Sequence, residues 1–325
     1  MHFWGENINV LITGGAGYIG SCLIPELLKK YRVKVLDNLM YSYNGILPHI
    51  GNPKFTFVKG DIRCKDDVKM ALENVDVVIH LAAIVGYPAC KANPKLAENV
   101  NYLGTKNLVE LSRIPIIFAS TGSVYGSVEG LCTEETPPKP LTEYAMTKLK
   151  AEREVQKHPN HVIYRFSTGF GLSPRPRLDL LVNDFVVRAL KYRELIVFEK
   201  DYIRSFIHVK DMVRSLLFAI EHLDEMNGEI YNVGSEELCI TKEEVALKIK
   251  EYVDYKLKFA EFGKDPDKRN YKVSFEKIES LGFKTKYSLD DGIKELMDAL
   301  SFLELRSCYY NHRCVDDYER KGSDI

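Results

Sequence analysis

The first half of the chain alternates short, continuously apolar runs with stretches whose apolar residues recur at helical spacing. The apolar runs fall at residues 8–13, 33–37, 55–59, 75–80, 114–120 and 161–166. They are aliphatic and β-branched rather than alternating with polar residues, which is the pattern of strands covered on both faces. Helical spacing marks 18–30, 66–74, 95–112 and 143–157. Such alternation predicts crossover helices on a parallel sheet, an α/β fold of the doubly wound kind. Pro25 falls inside the first helix and lacks an N–H, so the fold tolerates it only where a kink would face solvent.

After Phe166 the texture changes, and the Gly- and Pro-containing stretch 168–177 marks a boundary to a smaller C-terminal unit. Residues 231–233 suit one more strand of the main sheet, reached through a helix at 211–223 that Asp211 would cap. The units then interleave, with residues 1–167 and about 205–235 in the first and about 168–204 and 236–300 in the second. Beyond residue 300 the periodicity fades and the chain turns polar, so 301–325 is expected to be a frayed tail.

Charge and composition narrow the function. The 325 residues carry 45 Lys+Arg and 46 Asp+Glu, a net charge of −1, which argues against nucleic acid as a partner because such proteins need a basic excess. No apolar run approaches the ~18 residues of a membrane span, and the first nine residues lack a secretory signal. A cytoplasmic location is expected. The seven cysteines are scattered without CxxC pairing, so reduced thiols are expected. Cys308, His312 and Cys314 are metal ligands by type, but they lack a fourth ligand at standard spacing, and no metal is assigned.

The strongest local signal is the glycine series Gly14, Gly17 and Gly20 at the junction of the first strand and first helix. Gly14 permits a tight turn, Gly17 lets backbone N–H groups approach a pyrophosphate, and Gly20 lets the helix pack close to the sheet. Asp37 ends the second strand, where a carboxylate accepts ribose hydroxyls and repels a 2′-phosphate. The cofactor expected is therefore NAD rather than NADP, on a Rossmann sheet. Tyr18 and Ile19 in the turn and Asn38 beside Asp37 complete the cofactor contacts expected here.

Together with later motifs, these residues resemble the extended short-chain dehydrogenase/reductases known as NAD-dependent epimerase/dehydratases, which modify nucleotide sugars. The resemblance runs from about residue 8 to residue 300 and rests on motifs in order. Gly60-Asp61-Ile62-Arg63 implies that Asp61 and Ile62 flank the adenine. His80-Leu81-Ala82-Ala83 implies that Leu81, Ala82 and Ala83 line the dinucleotide. Asn101 with Gly104-Thr105 matches a further cofactor-side helix start, and residues 120–126 and Tyr144-Ala145-Met146-Thr147-Lys148 complete the series.

Tyr144 and Lys148 lie one turn apart on one helix face. A phenol titrates near pH ~10, but an adjacent ammonium and an oxidised nicotinamide favour the phenolate, which makes Tyr144 a usable general base. The resemblance implies that Lys148 also holds the nicotinamide ribose, and that Thr121, with Ser123 secondary, bonds the reacting hydroxyl. Sugar-nucleotide 4,6-dehydratases carry two acidic residues after that Thr; here Gly122 and Ser123 stand there, which disfavours elimination of water.

The segment 204–211 resembles one whose Arg, here Arg204, reaches the substrate diphosphate, a role shared by Arg269 farther on. The stretch 172–179, with Arg177, and Asn183 are expected to roof the nucleotide. Thr168 replaces an Asn frequent in sugar 4-epimerases. Residues 85–91, 173–185 and 265–274 look most like a bacterial subgroup that includes 4-dehydrogenases of GDP-linked heptoses. The resemblance also implies a homodimer built through two helices per subunit, including the Tyr144 helix. The expected activity is oxidation of a sugar hydroxyl, at C4, with hydride return as in a 4-epimerase. A net 4-dehydrogenase or 4-reductase is the alternative, and a dinucleotide-sensing regulator is a weaker rival because it would not need the Tyr144–Lys148 pair.

Overall fold

The structure, a computed structural model, describes residues 8–260 and 270–315. Its main sheet has seven parallel strands, β1 (Asn9–Thr13), β2 (Arg32–Asp37), β3 (Phe55–Lys59), β4 (Val77–His80), β5 (Ile116–Thr121), β6 (His161–Phe166) and β7 (Glu229–Val233). In space they run β7-β6-β5-β4-β1-β2-β3, so the order reverses between β1 and β4, where open α/β sheets bind ligands at the strand C-terminal ends. Every residue of β4 and β6 is buried, as continuous apolar strands under two helical layers must be. One apolar cluster, including Leu23, Ile24, Leu27, Leu216 and Tyr231, covers one face; another, including Val68, Leu108, Phe118 and Ala151, covers the other.

Pro25 lies on the exposed side of α1 (Tyr18–Leu28), and the helix continues through it. The helical pattern at 95–112 resolves into a short helix Pro94–Ala97, a wide π-type stretch Glu98–Gly104 and a helix Thr105–Leu111. The π stretch turns Asn101 fully inward. Further along, α2 (Glu143–Val155) starts at Thr142, whose hydroxyl accepts from Ala145 N at 3.2 Å.

The helix α3 (Val209–Glu221) corrects one expectation, because its cap is His208, whose side chain accepts from Lys210 N. Asp211 sits inside the first turn, wholly buried, and its carboxylate accepts from Lys286 N and Tyr287 N at 2.9–3.0 Å. Burial among backbone donors, rather than capping, fixes Asp211 there.

The remaining strands form small sheets, among them Thr168–Phe170, Ile203–His208 and Cys239–Thr241 side by side. The helices Leu181–Val187, Lys242–Lys250 and α4 (Leu289–Leu300) pack with them around Phe170, Phe206, Val245 and Ile293. Capping boxes, Thr241 with Glu244 and Ser288 with Asp291, start the last two helices.

The expectation of a frayed tail fails for residues 301–315. Tyr309, Asn311, Cys314 and Val315 are buried, because two short helical turns, Ser307–Tyr309 and 311–315, are tied to the 172–179 loop through Leu178 N to Tyr309 O, Arg175 Nη2 to Cys308 O and Asn311 N to Asp179. Among the described residues every cysteine is a free thiol, no group of three or more His, Cys, Asp or Glu is arranged to hold a metal, and no helix is long and apolar enough to cross a membrane.

Candidate active site

The chain leaves β1 through Gly14, whose φ is +74° and whose added Cβ would stand 2.6 Å from Ala82 N, so only glycine fits. At Gly17 an added Cβ would meet nothing within 4 Å except Gly14 O, at 3.1 Å, and would otherwise fill a cavity. Gly17 is also the cap of α1, whose first turn holds no acidic residue, so backbone donors at a helix N-terminus face that cavity. Gly14, Gly17, Tyr18, Ile19, Gly20, Asp37, Asn38, Asp61, Ile62, Leu81, Ala82 and Ala83 all line it.

Asp37 accepts from Ala16 N at 3.0 Å and Leu39 N at 2.8 Å, and burial pushes its pKa up to about 6. A half-buried carboxylate beside a glycine cradle fits the ribose and phosphates of a dinucleotide. Asn101 does not line the cavity. Its side chain is bonded to Ile84 N and O and to Thr147 Oγ1, so it ties the 81–85 segment to α2 from behind. A second brace runs through His80, which bonds Thr13 at 2.6 Å and Thr105 at 2.8 Å. Thr105 gives its hydrogen to Asn101 O, which assigns the donor role to His80 Nε2 and the acceptor role to Nδ1. Burial, with the Lys148 charge, lowers the His80 pKa to about 3, so the ring is a neutral strut.

A second cavity adjoins the first across Tyr18, Ile19, Leu81, Ala83, Val85 and Arg177. It gathers Thr121 and Ser123 from the end of β5, Tyr144 and Lys148 from α2, and Thr168 from beyond β6. The Thr121 hydroxyl donates to Ser123 Oγ at 2.9 Å and accepts from Ser123 N at 3.1 Å. Lys148 is buried with Nζ 4.0 Å from the centre of the Phe118 ring. Burial lowers its pKa to about 7, against the opposing pull of Glu152 one turn on. Glu152 itself belongs to a buried network, accepting from Ser120 at 2.7 Å and pairing with Arg165 at 2.6 Å, while Arg165 reaches Tyr125 at 3.0 Å. The second cavity is lined by no Asp or Glu among the described residues.

Beyond Gly86, Tyr87 and Thr168 the space widens into an outer cavity whose wall includes Arg177, Arg204 and Lys242. Arg177 is held bidentately by Asp179 at 2.9–3.0 Å. Asn183 faces none of these cavities; it is buried and bonds Gly171 N and O and Arg177 O, and so holds the roof loop. Arg269 lies outside the described residues. Tyr41, Arg175 and Asn311 line the first cavity and Lys242 the outer one without having been expected there. Arg175 stands two residues before Arg177 in the roof segment, a signal available in the sequence, whereas Asn311 lies where periodicity fades and had none.

Comparison with known proteins agrees with this geometry. The model of the NAD-dependent epimerase/dehydratase family matches residues 10–234. A protein of Methanocaldococcus jannaschii described as a putative UDP-glucose 4-epimerase is 31% identical over 309 residues, covering 89% of this chain and 97% of its own. The UDP-glucuronic acid 4-epimerase of Bacillus cereus, solved with UDP-glucuronic acid and NAD, superposes with a TM-score of 0.81 at 28% identity, covering 91% of this chain and all of the other. The dTDP-glucose 4,6-dehydratase of Bacillus anthracis, solved with NAD, gives 0.77 at 25% identity, covering 91% and 97%. With the glycine cradle, Asp37 and the Tyr144–Lys148 pair on one sheet edge, the chain belongs to the NAD-dependent epimerase/dehydratase family of extended short-chain dehydrogenase/reductases and uses NAD.

Proposed function

We propose that the protein is a nucleotide-sugar 4-epimerase, and the observation that carries this reading is the second cavity. It sets a hydroxyl pair, a phenol and a buried amine against the cofactor cavity, and among the described residues it offers no carboxylate to eliminate water. Tyr144 takes the proton of the sugar hydroxyl, Thr121 orients that oxygen with Ser123 behind it, and Lys148 favours the phenolate. Bound NAD supplies the acceptor for the hydride and its return. Lys148 holds the nicotinamide ribose, and Arg204, Lys242 and Arg177 in the outer cavity meet the diphosphate. Thr168 faces the sugar between them, and Arg269 belongs to the same diphosphate set. The sugar nucleotides named with the relatives, UDP-glucose and UDP-glucuronic acid, support a diphosphate sugar as the substrate class.

In this reading the NAD half comprises residues 1–167 and about 205–235, and the sugar-nucleotide half about 168–204 and 236–300. Exposed Met146 on α2 and Leu103 on the adjoining π stretch support dimerisation through this face, which light scattering tests.

The deciding experiment incubates the enzyme with UDP-, GDP-, dTDP- and CDP-sugars and follows both reduced nicotinamide and product. Formation of the C4 epimer without accumulating reduced cofactor is expected. Ketone and reduced cofactor in equal amounts would instead establish a 4-dehydrogenase. Tyr144→Phe is expected to lower turnover by about 10²- to 10⁴-fold, and near-normal turnover in that variant would sink the mechanism.

A further inference from the structure

The C-terminal stretch folds onto the cofactor cavity. Tyr309 O accepts from Leu178 N at 2.9 Å, Cys308 O accepts from Arg175 Nη2 at 3.2 Å, and Asn311 N donates to Asp179 at 3.2 Å. Both flanks are anchored, since Tyr309 is buried in the cluster of the smaller unit and Val315 in one under the main sheet. Asn311 lies between them. Its Nδ2 donates to Val85 O at 3.0 Å, which fixes the direction of the amide.

Asn311 Oδ1 is left buried without a partner, and so are Arg175 Nε and the Tyr41 hydroxyl. Arg175 is 1% exposed and Asn311 2%, and the guanidinium lies 4.4 Å from the centre of the Tyr41 ring. Among the described residues five side-chain nitrogen or oxygen atoms are buried and unpartnered, and three of them belong to side chains on this one cavity wall. Buried polar groups are nearly always paired, so three orphans on side chains that line one cavity point to a ligand that pairs them when it binds. The set suits a dinucleotide, whose phosphate oxygens accept from a guanidinium N–H and whose ribose hydroxyls donate to an amide oxygen.

We propose that Arg175, Tyr41 and Asn311 bind NAD, and that residues 307–315 are a clamp that holds it in place. Arg175 meets a phosphate, Asn311 Oδ1 accepts from a hydroxyl, and the anchored stretch must lift before the cofactor leaves. The proposal rests on the NAD site alone and stands whether the hydride returns to the sugar or departs with the cofactor.

The test follows NAD release from the full-length holoenzyme and from Tyr41→Phe, Arg175→Gln and Asn311→Ala, quantifying retained NAD after timed desalting. Thermal unfolding of each NAD-free protein is measured alongside. Each variant is expected to release NAD faster, Arg175→Gln by on the order of ten- to a hundredfold. NAD-free Tyr41→Phe is expected to unfold at or above the parental temperature, because the hydroxyl it lacks had no partner, while its stabilisation by added NAD shrinks. Unchanged release in Tyr41→Phe and Arg175→Gln overturns the proposal. Faster release in Tyr41→Phe accompanied by a lowered NAD-free unfolding temperature also overturns it, since that marks a purely structural role.

Discussion

Burying Lys148 costs stability, and Lys148→Met measures how much. The pKa of the amine falls from the ordinary 10.5 to about 7, first because burial disfavours the charge. At about 1.36 kcal/mol per pH unit, this corresponds to about 5 kcal/mol against the charged form. The methionine loses the contact with the Phe118 ring, an offset of about 0.5–2 kcal/mol, and a net gain of about 3–4 kcal/mol remains. Below pH 7 the amine is charged in both the folded and unfolded chain, so the penalty is complete and the variant's advantage is greatest. Between pH 7 and 10.5 the unfolded chain binds more protons, stability of the parent rises, and the advantage drains away. Thermal unfolding of the NAD-free proteins at about pH 6 should place Lys148→Met roughly 5–10 °C above the parent, with turnover abolished. A variant less stable than the parent at that pH, or a gain that does not shrink as pH rises, would refute the buried-charge account.

Two further outcomes follow from charged groups elsewhere. Asp37, with its pKa raised to about 6, must ionise to accept the ribose hydroxyls, so NAD affinity should weaken as pH falls through that value, by at most about tenfold per pH unit. Calorimetric titration of Asp37→Asn should show weaker binding that no longer varies with pH in this range. Glu152→Gln leaves Arg165 charged and buried, and its unfolding free energy in urea should drop by about 3–5 kcal/mol; an unchanged value would mean that the pair is no anchor of α2.

The residues legible in the sequence are those whose job is local. Gly14, Gly17 and Gly20 act through the backbone they permit, Asp37 ends a strand of fixed length, and Tyr144 and Lys148 are set by one helical turn. The strands could be placed because most are short, largely apolar runs, while β7 is marked only by residues 231–233 after a helical stretch. Polar residues assigned a ligand by motif were harder, since Asn101 and Asn183 turn inward and spend their amides on backbone groups seventeen and six to twelve residues away in the chain. Nothing in the spacing distinguishes an amide that meets a ligand from one that braces the loop beside it. Asp211 illustrates the same ambiguity, because besides Arg214 one turn on, the backbone donors that claim it, Lys286 N and Tyr287 N, lie 75 and 76 residues on. The stretch 307–315 escaped for a related reason. It folds as two turns too short to show a period, held by bonds to residues 175–179, which lie far back in the sequence.

The late arrival of β7 has a consequence for synthesis of the chain. When the ribosome has delivered β6, the sheet still ends in an open parallel edge of fully buried residues, and the strand that covers it is 63 positions further on, from Phe166 to Glu229. Such an edge is a template for pairing with another nascent chain. The segment made in that interval, with its own strands at Thr168–Phe170 and Ile203–His208, must therefore be accommodated before the edge is closed. Asn311 emerges later still, so the wall around the glycine turn is finished only after the sheet itself has been closed.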